Sequence, residues 1–343
     1  MRFPWANILL LFLLLFQLIT GFWGMLNGRE SFRWVLWLHG IGAYSLLLLL
    51  FWKSDIVLDA WRRKKRWTGS RLGFAFTALL LLLTLALGLM WTFQGPLHLF
   101  GFSLVSLHIY VAVPLSVLMI WHSWRMRFIW RLPEAVDRRL FLNGLSTSLA
   151  GLLVWWSAGR AKSIFSLAGA RRRFTGSYET GTPSGSFPVV SWIGDHPDPI
   201  SVEGWRLTVD GAVEKPLTFT YDQLLRLAGD SLMATLDCTG GWYTRQTWGG
   251  VSVARLLEMA GIMGSAASIS FRSVTGYERR FALAEANSFL LALDVAGRPL
   301  IHGHGAPVRL VALERRGVEW VKWVTKIQVN SSGKHWQTPL PLQ

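Results

Sequence analysis

The chain has 343 residues, 51% of them hydrophobic, with 20 tryptophans, a single cysteine and a net charge of +15. That length allows two domains of ordinary size, the apolar and tryptophan content is high for a soluble enzyme, and one cysteine excludes an intrachain disulfide. The charge is uneven: residues 1–173 hold 20 Lys and Arg against five Asp and Glu, whereas residues 174–343 hold 15 of each. Basic residues set between long apolar runs mark a membrane protein with basic loops and exclude a nucleic-acid binder. The neutral second half reads as a separate globular unit.

Five apolar runs come first, at 6–26, 34–52, 72–93, 101–121 and 141–157. Each of the first four is long enough to cross ~30 Å of hydrocarbon as a helix, and the fifth is shorter. The loop at 53–71 carries Lys53, Arg62, Arg63, Lys64, Lys65, Arg66 and Arg71, and that at 122–140 carries Arg125, Arg127, Arg131, Arg138 and Arg139. The opposite loops hold only Arg29 and Arg33. The N-terminus and both basic loops are therefore predicted on the cytoplasmic side of a bacterial inner membrane, with the second half on the periplasmic or extracellular side. Arg160, Lys162 and Arg171 to Arg173 run against this bias, although large translocated domains largely escape it.

Asp137-Arg-Arg-Leu-Phe-Leu-Asn143, ahead of the fifth run, resembles a twin-arginine export signal. The other reading is a basic cluster before an ordinary helix. No small-residue cleavage site follows, so the segment is expected to stay as an anchor.

His39 lies five residues into the second run and His108 seven residues into the fourth. Both runs start on the outer side, so both imidazoles are expected at one shallow depth. Ionisable residues inside a span are functional by default, and two imidazoles at matched depth can supply both axial ligands of a b-type haem. The alternative is a pair of histidines hydrogen-bonded to neighbouring helices. His122 stands 14 residues beyond His108, about 21 Å along the same helix. No other run has a histidine at that depth, so one haem is expected, with His122 at the interface or in a quinone site. The plan resembles a small cytochrome b, of the kind that passes electrons between quinones and periplasmic partners.

Residues 161–186 read as a linker, rich in Gly, Ser, Thr and Pro from Arg171 onward. Beyond it, strands are predicted at 205–209, 268–274, 307–313 and 320–329, and helices at 221–228 and 252–260. The expected domains are a four-helix membrane domain at 1–135, a signal-anchor helix at 136–160, the linker at 161–186 and a mixed α+β domain at 187–335.

The α+β half carries an ordered set of motifs. They are Trp205-Arg-Leu-Thr-Val-Asp-Gly211, Leu236-Asp-Cys238-Thr-Gly-Gly241, Trp248-Gly-Gly-Val251, Ser273-Val-Thr-Gly-Tyr277, His304-Gly-Ala-Pro-Val-Arg309-Leu310 and Val321-Lys322-Trp323. In this order and spacing they resemble the molybdopterin-binding domain of the sulfite oxidase family, which includes the periplasmic methionine sulfoxide reductase catalytic subunit. The resemblance covers roughly 187–330. It implies that Cys238 is the one protein ligand to molybdenum, a soft thiolate suited to a metal already held by a dithiolene. It implies pterin or phosphate contacts from His304, Arg309, Ser273, Lys322 and the backbone around Trp320 and Val321, with Arg309 able to fork onto a phosphate. Further pterin contacts are expected near Ser191 and Trp192.

Sulfite-oxidising members place arginines shortly after the cysteine, but here the first is Arg245, and Trp242 and Tyr243 suggest a more apolar mouth. Arg245 and Tyr277 are candidate substrate contacts. The expected protein is a membrane-bound molybdenum oxidoreductase that moves an oxygen atom to or from a small S- or N-containing substrate, with a b-type haem linking it to the quinone pool. The alternatives are a non-catalytic membrane-anchored molybdopterin-fold module, or a sulfite-oxidising enzyme whose spans act only as an anchor.

Overall fold

The computed structural model describes residues 4–63, 69–125, 138–335 and 337. Lys64, Lys65, Arg66, Arg127, Arg131 and Asp137 of the basic loops and the export-like motif lie outside the described residues. The chain divides into two compact units, Met1–Tyr178 and Glu179–Gln343.

The first unit is helical. Its long helices are α1 (Pro4–Leu26), α2 (Arg33–Arg63), α3 (Gly69–Gln94), α4 (Leu104–Arg125) and α5 (Arg138–Ile164). All five are long and apolar enough to cross a membrane. A helix satisfies its own backbone groups, which is what such apolar runs require in lipid. The fifth run, read as the shortest from its apolar stretch, forms a 27-residue helix. Apolarity ends near Trp156, but Ala158 to Ile164 contain no proline and continue the turn, so the helix outruns its hydrophobic signal.

α1 packs on α2 and α5, α2 on α5, and α3 on α4. Trp5, Leu9 and Leu13 of α1 form a core with Leu46 and Leu49 of α2 and Leu140 of α5. After α5 the chain turns back: a 3-10 turn at Ala168–Arg171 packs on α3 and α5. Trp91 fixes this return, its indole N–H donating to the Gly176 carbonyl at 2.9 Å and its own carbonyl accepting from the Tyr178 hydroxyl at 2.6 Å. Residues 168–178, expected within a linker, are thus part of the helical unit.

The second unit is mixed α and β. One sheet has the order β2 (Leu217–Thr220), β1 (Arg206–Gly211), β9 (Val324–Asn330), β5 (Ser268–Ser273) and β6 (Glu278–Ala282). Here β1 and β9 run parallel and the other pairs antiparallel. The other sheet is built on β4 (Trp242–Ser252), which pairs antiparallel with β3 (Asp230–Asp237) and β7 (Leu290–Val295); β8 (Arg309–Val311) pairs with β7. Alternating burial along β3 and β4 turns Leu236, Trp248 and Val251 inward, where they share one core with Leu207, Ile269, Phe271 and Ile327 of the first sheet.

Two of the short helices show clear N-caps. α6 (Tyr221–Leu227) starts in a capping box between Thr220 and Gln223, and α7 (Val253–Ala260) starts with the Ser252 hydroxyl accepting from Arg255 N–H. The expected strand at 320–329 begins only at Val324. A 3-10 turn at Gly317–Glu319 and a left-handed Trp323 (φ 52°) hold residues 317–323 as an irregular wall.

Candidate functional site

Cys238 stands at the tip of the β3–β4 hairpin. Register pairs Asp237 with Tyr243, and the turn closes through Cys238 N–H to the Trp242 carbonyl (2.9 Å) and Gly241 N–H to the Cys238 carbonyl (3.1 Å). Gly241 has φ +91°, a conformation that favours glycine. Gly240 N–H donates to the Cys238 sulfur at 3.3 Å. Behind the tip, the buried Asp237 carboxylate accepts from Arg316 Nη1 at 2.7 Å, and Arg316 Nη2 reaches the Cys238 carbonyl at 3.2 Å. This pair joins residues 79 positions apart, and no local pattern in the sequence points to it.

The cleft in front of Cys238 is lined by Trp242, Tyr277, His304, Arg309, Trp320 and Lys322, among others, and has about 650 Å³ of space free of atoms, its open mouth included. His304 closes a 3-10 turn at His302–His304. Its Nε2–H donates to the Phe187 carbonyl at 3.0 Å and its ring stacks on Phe187 with centroids 3.8 Å apart. That bond leaves Nδ1 as an acceptor. Gly305 follows with φ +109°, and a Cβ there would lie 2.9 Å from the Arg309 Cβ and 3.1 Å from the Lys322 Cβ. A glycine is therefore what lets the two cations stand side by side.

Arg309 is 3% exposed and lies beside the edge-to-face pair of Trp248 and Trp320, its guanidinium carbon 5.4 and 5.7 Å from their ring centroids. Its Nη1 donates to the His304 carbonyl at 2.9 Å, while its Nε has no partner among the described residues. Lys322 donates to Ser191 Oγ (3.1 Å) and to the Gly303 carbonyl (2.6 Å). No carboxylate among the described residues forms an ion pair with either.

The charges suffer for it. Burial pushes the Arg309 pKa down to about 9. Burial first, and then Arg309, push Lys322 down to about 7, against the pull of Asp195 and Cys238. Burial and both cations bring His304 to about 4, opposed by its bond to Phe187. Burial raises the Cys238 thiol, and the Gly240 N–H, Arg316 and Lys322 work the other way. A buried charge is stable only when paired. This cleft thus offers a thiol and two poorly compensated cations to an anion.

The expected residues are not all at the wall. Cys238, His304, Arg309, Trp320, Lys322, Ser191 and Trp192 line the cleft, as does Tyr277, whose hydroxyl donates to the Val318 carbonyl. Ser273 does not: its hydroxyl meets Thr275 Oγ1 at 2.6 Å, and Thr275 donates to Asp195 at 2.5 Å, so Asp195 is the member of this chain at the wall. Val321 points into the core with no exposure, and its carbonyl accepts from Leu310 N–H. Arg245 is exposed on β4 and does not line the cleft. No group of three or more His, Cys, Asp or Glu side chains that could hold a metal occurs among the described residues. A metal at Cys238 must therefore bring its other ligands with it.

Residues 193–336 match the family described as oxidoreductase molybdopterin binding domain, so the second unit carries an oxidoreductase domain of that class. The chain is 27% identical to the NADH nitrate reductase of Spinacia oleracea over 165 residues, which cover 38% of this chain and 18% of that enzyme. Among solved structures it is similar to the sulfane dehydrogenase SoxCD of Paracoccus pantotrophus, with 27% identity, a TM-score of 0.38 and coverage of 39% of this chain and 40% of that one. The chain thus spans less than half the length of either relative. Among the described residues, an Arg309 Nε without a partner and a lone thiol with no cluster of metal ligands around it suit a cofactor that carries both a phosphate and its own sulfur ligands.

In the helical unit, His39 and His108 come together. Their ring centroids are 6.2 Å apart and their planes cross at 86°. The Thr20 hydroxyl donates to the Phe16 carbonyl at 2.7 Å, so its oxygen accepts from His39 Nδ1–H at 3.1 Å. His108 Nδ1–H donates to the Thr84 carbonyl at 2.8 Å. His108 Nε2 then carries the lone pair, the tautomer that metal-binding histidines adopt, and His39, which also bonds the Gln17 backbone, takes the same form when Nδ1 is its donor. Gly21 and Gly88 lie against the rings, where a Cβ would come within 3.0 Å of His39 and 3.1 Å of His108. His122 is exposed near the end of α4.

Proposed function

We propose that this chain is a membrane-bound molybdenum oxidoreductase that transfers an oxygen atom to or from a small S- or N-containing substrate. Its helical unit spans a bacterial inner membrane and holds one b-type haem, which links the catalytic unit, on the periplasmic or extracellular side, to the quinone pool. When bound, the molybdopterin group supplies two-electron oxygen-atom transfer and the haem supplies one-electron relay.

The chain's own residues divide the work. Cys238 supplies the thiolate to molybdenum, its direction set by the Asp237–Arg316 pair and the Gly240 N–H. Arg309 and Lys322 hold the phosphate end of the pterin, with His304 Nδ1 as an acceptor beside them. Ser273 acts at one remove, by holding Thr275 and Asp195. Trp320 and Trp248 keep water from the Arg309 guanidinium, which strengthens any oxyanion contact it makes.

The observation that carries this reading is the Arg309 guanidinium, enclosed with no carboxylate partner among the described residues, in the same cleft as the single cysteine. For the haem, the spacing of the two rings supports the reading. With metal–imidazole bonds near ~2 Å, His39 and His108 would be close enough to hold one iron, which would supply the one-electron relay.

Molybdenum and iron contents of the detergent-purified full chain test both. The expected result is about one of each per chain, with Cys238→Ser losing the molybdenum and keeping the iron. Stoichiometric iron with no molybdenum in the parent chain sinks the catalytic reading; the reverse sinks the haem. A substrate panel with reduced viologen in one arm and ferricyanide in the other reads the direction of oxygen transfer.

A further inference from the structure

Arg172, on the return segment after α5, sends its guanidinium to the helical bundle. Its Nη1 donates to Thr92 Oγ1 at 3.1 Å. Thr92 Oγ1 in turn donates to the Gly88 carbonyl at 2.7 Å, and Gly88 is the position pressed against the His108 ring. Thr84, Gly88 and Thr92 follow one another at four-residue intervals, so they form one stripe of α3. That stripe accepts the His108 N–H at its inner end and the Arg172 guanidinium at its outer end.

The groups gathered there are donors. Arg172 has five N–H donors and no acceptor capacity, and no carboxylate among the described residues pairs with it. The Tyr44 hydroxyl, on the helix that carries His39, is enclosed and has no hydrogen-bond partner among the described residues, and Tyr44 and Tyr178, whose hydroxyl donates to the Trp91 carbonyl, both neighbour Arg172. Lys162 adds a second positive charge close to Arg172. Two cations and an unbonded hydroxyl in a partly buried site lack an acceptor anion. On the topology proposed above they also sit on the side where the loop-charge bias of membrane proteins disfavours Lys and Arg.

We infer that Arg172 and Tyr44, with Lys162 behind them, bind the propionate carboxylates of the haem held by His39 and His108. This rests on the haem reading above and adds an anion site to it, supplied by the segment that leads out of the bundle. Arg172 forms the charge-assisted contact and Tyr44 donates a neutral hydrogen bond. The positive charge raises the midpoint potential of the haem, because a nearby cation disfavours the ferric state.

The experiment uses the full chain in detergent. Haem per protein is measured as the pyridine haemochrome and the midpoint potential by spectroelectrochemical titration, for the parent chain, Arg172→Leu, Arg172→Lys and Tyr44→Phe. The expected result for Arg172→Leu is a several-fold loss of haem on washing, or a lower potential in the haem that stays. Arg172→Lys, which keeps the charge but loses the fork, falls between. Tyr44→Phe gives a smaller fall, and it and the Lys variant decide the matter should the Leu variant not accumulate. Haem retention and potential equal to the parent's in those variants overturn the inference while leaving the haem in place. A parent chain without haem overturns both. Loss of co-purified anionic lipid from Arg172→Leu with haem and potential unchanged assigns the site to a lipid phosphate, and overturns it too.

Discussion

The two units use the same residue types in opposite ways. In the helical unit large apolar side chains face outward: Ile19, Phe76 and Val117 are each more than half exposed. In the α+β unit Trp248, Phe271 and Phe281 are fully enclosed. Burial of apolar area drives folding in water, and the second unit obeys it. The first unit can leave such groups outside only if the surroundings are apolar as well. The polar groups differ in the same sense. In the bundle they form a few pairs set against glycines, such as His39 with Thr20 and His108 with the Thr84 carbonyl. In the α+β unit they join in wider networks, such as Asp237 with Arg316, and two cations stand in the cleft. The lesson is that a polar residue is informative in inverse proportion to how many polar neighbours it was expected to have.

The sharpest way to break this comparison is to empty one unit and read the other. His39→Ala or His108→Ala should abolish the reduced b-type absorbance and leave molybdenum at the parent level; a joint loss of both would show that the units do not act as separate holders. Next in size, Asp237→Ala leaves Arg316 buried and unpaired, which costs about 3–5 kcal/mol. Thermal unfolding should show that loss in the α+β unit with the haem signal unmoved.

Arg309→Met sharpens the cleft half of the contrast. Cofactor retention should fall at least about ten-fold, the scale of one lost charged contact. The cofactor-free protein should be no less stable than its parent, because an uncompensated charge has been removed. A clear drop in stability would mean that Arg309 is structural. The smallest effect concerns pH. Lys322 is held near 7 in the fold against an ordinary value of 10.5. Between those values the unfolded chain binds the proton and the folded chain does not, so stability rises with pH. Cofactor-free protein should therefore show a urea midpoint that rises from pH 7 to 8, before the Cys238 thiol acts appreciably in the opposite sense, and Lys322→Met should flatten the rise.

Much of this was legible in the chain and some was not, for physical reasons. The helix positions follow from apolar length alone, and the convergence of His39 and His108 from their matched depth. Cys238, His304 and Arg309 stand out because local order of motifs survives in a linear reading. The Asp237–Arg316 pair and the Ser273–Thr275–Asp195 chain do not, since each closes across about 80 residues or through a turn that periodicity does not encode. Val321 is expected only through its backbone, and its side chain lies in the core, in an irregular stretch where no periodicity tells inward from outward. Phe187 carries no charge to attract notice, yet its carbonyl fixes the tautomer of His304.

The indoles beside Arg309 have a consequence for selectivity. Trp248 and Trp320 meet edge to face and stand 5.4 and 5.7 Å from the guanidinium, so little of it is left for a visitor. An oxyanion with two oxygens on one centre can take two N–H donors of a guanidinium together, whereas a halide cannot. The empty protein should accordingly be a scavenger of phosphate and sulfate but not of chloride, and the choice of buffer will govern how readily it can be reloaded.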